Sequence, residues 1–264
     1  MFTYPFMRYA FIASFFIAIL CGIMGVFVIS RKTAFFTHTL SEIGFSGAAF
    51  GIFAGVSPIL GMLLFTIFSS LLIGTLGNKV SRRESSISVF SGLFIGLGIL
   101  FLALAKTQSS YATNILFGSI VGINANNVKT LIILSLLILL ALFFIYRKLK
   151  YNSFDHIGAK YNLRWNTGIS IAFLVLLACT VSVTAQIVGS LLIFVLLTIP
   201  ASAAHYFSHT VRGMMGLSFV FSLAGAWLGL YLSYLTNWPV SAFIAILETG
   251  LYLLSLGWHG LKSE

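Results

Sequence analysis

The stretch that decides the fold is "YAFIASFFIAILCGIMGVFVIS", Tyr9 to Ser30, which runs for 22 residues without one charged side chain. A transmembrane helix needs about 20 predominantly apolar residues to cross the hydrocarbon core of a bilayer. The stretch is long for the apolar part of a signal peptide, and Arg31 and Lys32 follow it without a small-residue cleavage motif. It therefore predicts a first membrane span.

The composition extends this conclusion to the whole chain. Of its 264 residues, 59% are hydrophobic and only 8% are charged, which excludes a soluble globular protein. Apolar runs of about 20 residues, without the alternating pattern of a transmembrane barrel, favour helices. We therefore predict an all-α, polytopic transmembrane bundle with eight or nine membrane segments, forming one transmembrane domain over residues 1–264.

The placement of Lys and Arg predicts the orientation of the segments, because cytoplasmic loops accumulate these residues. With nine crossings and the N-terminus outside, all 15 Lys and Arg residues fall inside except Arg8, Lys106 and Lys129. The net charge of +10 is thus explained by the membrane topology and indicates no nucleic-acid partner. The predicted spans lie near residues 9–30, 40–56, 58–78, 86–105, 130–146, 167–184, 187–204, 213–235 and 240–258.

The second predicted span, 40–56, is Gly-rich and barely long enough to cross, so a re-entrant segment, which would move the N-terminus inside, stays open. Two connecting segments are longer than a simple connection requires. Residues 106–129 predict a short outward-facing helix, and the basic segment 147–166 is predicted to face the cytosol. The sequence holds no Walker A motif, so any ATP chemistry must belong to another chain.

Only two of the five acidic residues, Glu42 and Glu248, fall at membrane depth. A charged side chain at the bilayer centre costs about 2.5 to 3.5 kcal/mol on insertion scales, so it normally faces a partner, a polar interior or an ion path. For Glu248 we favour a structural partner, such as a helix terminus or a hydroxyl group. His205 and His209 are four residues apart at the inner end of a span, where a solvated pair is the simpler interpretation.

His38 and Glu42 are also four residues apart, which places them on one face of a helix. An imidazole nitrogen with a carboxylate oxygen suits a divalent cation such as zinc, manganese or ferrous iron. Two ligands do not complete a site, but a twofold homodimer would present the pair twice. The alternative is that His38 caps the start of a helix and bonds Glu42 without a metal.

Four motifs, in order, resemble the membrane-spanning permeases of the zinc and manganese type ABC importers. After the first span, "RKTAFFTHTLSEIGFSGAAFG" is similar to the family's Arg-Arg, Asp-x-Leu-Ser/Ala-His and Gly-x-Ala pattern. "NILFGSIVGI" resembles its outward loop, "SFDHIGAKYN" its Phe-Asp-x-x-x-Ala coupling segment, and "QIVGSLLIFVLLTIPASAA" its Val-Gly-x-Leu-Leu to Pro-Ala stretch. The likeness covers nearly the whole chain.

The resemblance implies that His38 and Glu42 contact the transported ion, at the positions where better-known members have Asp and His. One nitrogen and one carboxylate are kept, but their order is exchanged. It also implies that Phe154, Asp155 and Ala159, within the cytosolic segment 147–166, couple the permease to an ATPase.

The function implied is uptake of a divalent metal, with zinc favoured over manganese or iron, across the inner or plasma membrane of a prokaryote. The implied partners are a second permease copy, cytosolic ATPase subunits that bind ATP, an extracytoplasmic metal-binding protein and membrane lipid. The chain itself is then not an enzyme and binds no cofactor.

Two other functions are open to the residues alone. A secondary, ion-coupled transporter could use Glu42 and Glu248 as relay groups, although the sequence lacks the internal repeat usual in such proteins. An intramembrane enzyme is disfavoured because the sequence has no H-E-x-x-H or other recognisable catalytic cluster.

Overall fold

The computed structural model describes the backbone of residues 4–76, 80–105, 114–118, 123–154 and 163–262. These residues form an all-helical bundle and include no β-strand. Their nine long helices are α1 (Pro5–Ser30), α2 (Ala34–Phe53), α3 (Pro58–Leu76), α4 (Val80–Leu104), α5 (Ala125–Phe154), α6 (Leu163–Val188), α7 (Ser190–Phe207), α8 (Val211–Thr236) and α9 (Val240–Lys262).

Eight of these nine helices are long and apolar enough to cross a membrane, which confirms the prediction of a polytopic bundle with eight or nine segments. The exception is α2, whose 20 residues would nevertheless span about 30 Å. It packs against α3, α4, α6 and α7 and is buried along most of its length. The one long helix that is not apolar enough to count as a membrane span thus lies inside the bundle, packed against four other helices.

The helix α2 begins at Ala34, six residues before the predicted span at residue 40. The hydroxyl groups of its first turns are satisfied within the helix, because Thr37 Oγ1 donates to the carbonyl oxygen of Thr33 at 3.1 Å and Ser41 Oγ to that of Thr37 at 3.1 Å. Such back-bonding lets hydroxyl side chains enter an apolar environment without unpaired donors. His38 therefore lies within the helix and does not cap it.

The helices α2 and α3 cross at two glycines. A Cβ atom added to Gly47 would lie 2.4 Å from the carbonyl oxygen of Gly61, and one added to Gly61 would lie 2.0 Å from that of Gly47. Small residues allow this backbone-to-backbone approach between membrane helices. The crossing fixes α2 against α3 one turn beyond Glu42.

A second pair of glycines joins segments that are far apart in the sequence. Residues 114–117 form one helical turn, in agreement with the short helix predicted within 106–129, and Gly118 follows with φ of 74°. Gly189, the single residue between α6 and α7, has φ of 94°. The two backbones touch, since a Cβ atom on either glycine would lie 2.3 Å from main-chain atoms of the other segment.

At the other end of the bundle, α5 continues to Phe154 as helix, eight residues beyond the predicted span. Arg31, in the turn between α1 and α2, donates hydrogen bonds to Ser153 Oγ at 3.5 Å and to Ser170 Oγ at 2.5 Å. It thereby connects that turn to both helices that flank the predicted coupling segment. Of the predicted coupling residues, Phe154 packs against Phe27 with ring centroids 6.5 Å apart, whereas Asp155 and Ala159 lie outside the described residues.

Candidate metal site

The pair predicted as metal ligands lies in the middle part of α2, which is otherwise buried. His38 Nδ1 is 3.5 Å from Glu42 Oε1, and the side chains are 39% and 21% exposed. Every other residue between Phe36 and Ala49 is buried. The stretch of α2 that is otherwise enclosed by protein therefore opens only where an imidazole and a carboxylate stand together.

Neighbouring helices hold both side chains in place. Ser91 Oγ on α4 donates a hydrogen bond to Glu42 Oε2, which leaves Oε1 facing His38. The edge of the His38 ring meets the ring of Phe194 on α7, with centroids 5.2 Å apart and planes at 87°. One turn further along α2, Ser46 Oγ donates to the carbonyl oxygen of Phe94 and joins α2 to α4 again.

The spacing of the pair suits a divalent cation. Two ligands at about 2.1 Å from a metal and at a tetrahedral angle lie about 3.4 Å apart, close to the separation of Nδ1 and Oε1. The same spacing fits an ordinary His–Glu ion pair. Among the described residues, no group of three or more His, Cys, Asp and Glu side chains could hold a metal, so the pair alone would supply only part of a coordination shell.

Ser91 is the residue near this pair that sequence analysis missed. Its surroundings, "SVFSGLF" over residues 88–94, carry no charge or motif that distinguishes it from the other serines of the chain. Only the packing of α4 on α2 identifies it as a partner of Glu42. A hydrogen-bonded partner of this kind orients a ligating carboxylate.

A cavity of about 250 Å³ lies near the other end of α2, on the side predicted to face outward. Three amide side chains line it, those of Asn114, Asn127 and Gln186, together with Ala48 and Met62. Amide oxygens are suitable contacts for a partly hydrated cation. The cavity therefore adds a polar space beside α2, near the contact between Gly118 and Gly189.

The other intramembrane acid lies elsewhere. Glu248 on α9 is fully buried, and its carboxylate occupies the space that a side chain at Gly225 of α8 would fill. Neither of its oxygens has a hydrogen-bond partner among the described residues, so the structural partner predicted from the sequence is not found there. The structure does not bring Glu248 together with the His38–Glu42 pair, because α9 packs mainly on α7 and α8.

The second histidine pair is exposed at the end of α7, His205 in the last turn of the helix and His209 beyond it. These positions agree with the solvated pair expected from the sequence.

Comparisons with known proteins place this architecture among transporters. The sequence model of the ABC 3 transport family matches residues 3–258. The chain is 28% identical to the manganese transport system membrane protein MntC of Listeria innocua, over 96% of this chain and 90% of that protein. It is also 28% identical to the manganese import system permease protein ScaB of Streptococcus parasanguinis, with the same coverage of both chains.

A solved structure agrees with these sequence matches. PsaBC from Streptococcus pneumoniae in complex with Fab superimposes with a TM-score of 0.82, 26% sequence identity and coverage of 96% of this chain and 91% of that one.

Proposed function

Since the chain belongs to the ABC 3 transport family and is a multi-pass membrane protein, we propose that it is the permease subunit of an importer for a divalent transition-metal cation. The observation that carries the proposal is the His38–Glu42 pair, which forms the accessible part of the otherwise buried stretch 36–49. In this proposal the chain lies in the inner or plasma membrane of a prokaryote. ATP is bound and hydrolysed by separate cytosolic subunits, so the chain itself is not an enzyme.

The identity of the metal is the finer part of the proposal. The ligand chemistry of one imidazole and one carboxylate suits both zinc and manganese. Manganese is the first cation to test, because the MntC and ScaB relatives carry it in their names. Zinc, favoured by the sequence alone, is the second.

In the proposed mechanism, His38 and Glu42 bind the cation only in passing. A path must bind an ion well enough to admit it and weakly enough to release it. Two protein ligands satisfy this requirement better than a closed shell of four, and the remaining positions stay available to water or to the second copy. A homodimer with the pair near its twofold axis would supply four ligands at the moment of passage.

The conformational change would reach this pair through the turn between α1 and α2. We propose that the coupling segment around Phe154, Asp155 and Ala159 moves with the ATPase. Arg31 would pass the movement on, because its hydrogen bonds reach Ser153 and Ser170 on the two helices that flank the segment. Since α2 begins three residues after Arg31, a shift of this turn would move the helix that carries the ligands.

Reconstitution of the permease with its ATPase and metal-binding protein tests the function directly. We expect ATP hydrolysis and uptake in proteoliposomes to rise with manganese or zinc, and uptake to require the ATPase subunit. Uptake that persists without the ATPase and follows a proton or sodium gradient would overturn the proposal in favour of an ion-coupled transporter. That alternative is not favoured by the family to which the chain belongs.

A further inference from the structure

We propose that the groove between α5 and α8 is a binding site for one anionic phospholipid. The groove has a volume of about 880 Å³, and its residues come from α5, from α8 and from Ile23 of α1. It is a different part of the molecule from the His38–Glu42 pair, and nothing in the proposed transport mechanism uses it.

The charges in the groove lie at one end. Arg147 and Lys150 are in the last turns of α5, and Arg212 is in the first turn of α8. All three side chains are exposed, none forms an ion pair with a described carboxylate, and no acidic residue lines the groove. Three cations that have no acidic side chain beside them in the described part of the chain are the complement of a phosphate-containing head group.

The rest of the groove is apolar and aromatic. Its α5 wall follows one helix face through Leu139, Leu142, Phe143 and Tyr146, and Met215 contributes from α8. Phe143, which lies on a candidate membrane-spanning helix, is 75% exposed. Such a surface is suited to acyl chains.

The length of the groove matches one leaflet of a bilayer. From Leu139 to Lys150 the helix rises about 16 Å, and half of a hydrocarbon core of roughly 30 Å is about 15 Å. The cations come from two separate segments that positive-inside reasoning assigns to the cytosolic side. Basic pockets between membrane helices on that side bind the head groups of anionic lipids. The occupant is therefore a phospholipid of the inner leaflet, such as phosphatidylglycerol.

The test measures lipid binding to the purified, delipidated permease by native mass spectrometry. We expect phosphatidylglycerol to bind in preference to phosphatidylcholine, and glycerol phosphate, which lacks acyl chains, not to be retained. Each of Arg147→Gln, Lys150→Gln and Arg212→Gln should weaken phosphatidylglycerol binding about fivefold, which corresponds to about 1 kcal/mol for each basic residue near an anionic lipid surface. Lys129→Gln, an exposed cation on the predicted outer side, is the matched control and should bind as the wild type does.

A second pair of variants tests the apolar part without altering charge. Phe143→Ala should weaken binding of phosphatidylglycerol, whereas Leu137→Ala, an exposed residue of α5 that does not line the groove, should not. Equal binding of both lipids, or equal loss in Lys129→Gln, would overturn the proposal. So would cation variants that bind lipid normally but fail to assemble with the ATPase, because an acidic protein surface would then be the partner of the groove.

Discussion

Arg31 Nη2 lies 2.5 Å from Ser170 Oγ, and this hydrogen bond ties the turn between α1 and α2 to α6. The other terminal nitrogen of the Arg31 guanidinium donates a hydrogen bond to Ser153 at the end of α5. The central carbon of the guanidinium lies 5.0 Å from the centre of the Phe173 ring. One side chain thus joins the α1–α2 turn to two helices, α5 and α6, at the end of the bundle predicted to face the cytosol.

We expect Arg31→Gln to separate ATP hydrolysis from transport. The shorter, neutral side chain cannot span both serines, so movement of the coupling segment would no longer reach α2. Metal uptake in proteoliposomes should fall about tenfold, the effect of about 1.4 kcal/mol, which is close to the lower end of the range for a hydrogen bond to a charged group. ATP hydrolysis should continue.

Arg31→Lys should restore uptake only in part, because an ammonium group lacks the planar fork that reaches two partners at once. Unchanged uptake in Arg31→Gln, measured beside Lys129→Gln as the charge-matched control, would remove Arg31 from the mechanism.

His38→Ala and Glu42→Ala should each abolish metal-dependent uptake while the permease still assembles with the ATPase. Each change removes one of the two proposed ligands, which are the accessible side chains of the otherwise buried stretch 36–49. His205→Ala is the matched control, because it removes an exposed histidine that also has a polar side chain, His209, four residues later. This variant should transport normally. Wild-type uptake in both α2 variants would leave the pair as a structural contact.

Ser91→Ala should weaken metal binding less than Glu42→Ala does. The serine hydroxyl does not itself hold the cation in this proposal; it orients the carboxylate through Oε2. Loss of such an outer partner typically costs 10- to 100-fold in metal affinity. We therefore expect a raised KM for the metal with kcat largely kept, and Ser91→Thr, which retains the hydroxyl, should recover part of the affinity. A fall in kcat at unchanged KM would contradict this role.

The sequence predicted the bundle well because the length and hydropathy of a span are local properties. It placed the start of α2 too late, because Thr37, His38 and Thr39 lower the local hydropathy although the helix already exists there. The predicted span in α5 ends at basic residues, because hydropathy detects the membrane boundary, whereas the helix itself continues to Phe154.

The surroundings of the candidate site depend on contacts between distant segments. The i, i+4 rule was sufficient to pair His38 with Glu42, and the structure brings the two side chains together. The hydrogen bond from Ser91 to Glu42 joins residues that are 49 positions apart in the sequence. The contact between Gly118 and Gly189 joins residues that are 71 positions apart. Neither relationship follows from the periodicity of one helix.

Gly47→Ala should destabilise the permease, since the new methyl group would meet the backbone of α3. Overpacking of this kind costs about 1–3 kcal/mol, which should appear as a lower unfolding temperature in detergent. Gly216→Ala on α8 is the control, because a Cβ atom there meets nothing within 4 Å and alanine favours a helix. Equal unfolding temperatures for the two variants would show that α2 and α3 can separate at this crossing.

Glu248→Gln should leave uptake unchanged and the unfolding temperature equal or higher. The carboxyl group is fully buried without a hydrogen-bond partner among the described residues, and an amide of the same shape fills the same space but cannot ionise there. Loss of uptake in this variant, with assembly intact, would instead support ion coupling through Glu248.

The central position of α2 also has a consequence for how the protein is made. This helix is not among the eight that are apolar enough to cross by themselves, yet α1 before it and α3 after it are. The ribosome synthesises these three segments in order. The contact between Gly47 of α2 and Gly61 of α3 is the earliest close packing that could keep the polar turns of α2 away from lipid. We therefore expect α2 to enter the bilayer together with α3 as one hairpin, so that the helix bearing the proposed metal ligands depends for its insertion on the segment synthesised after it.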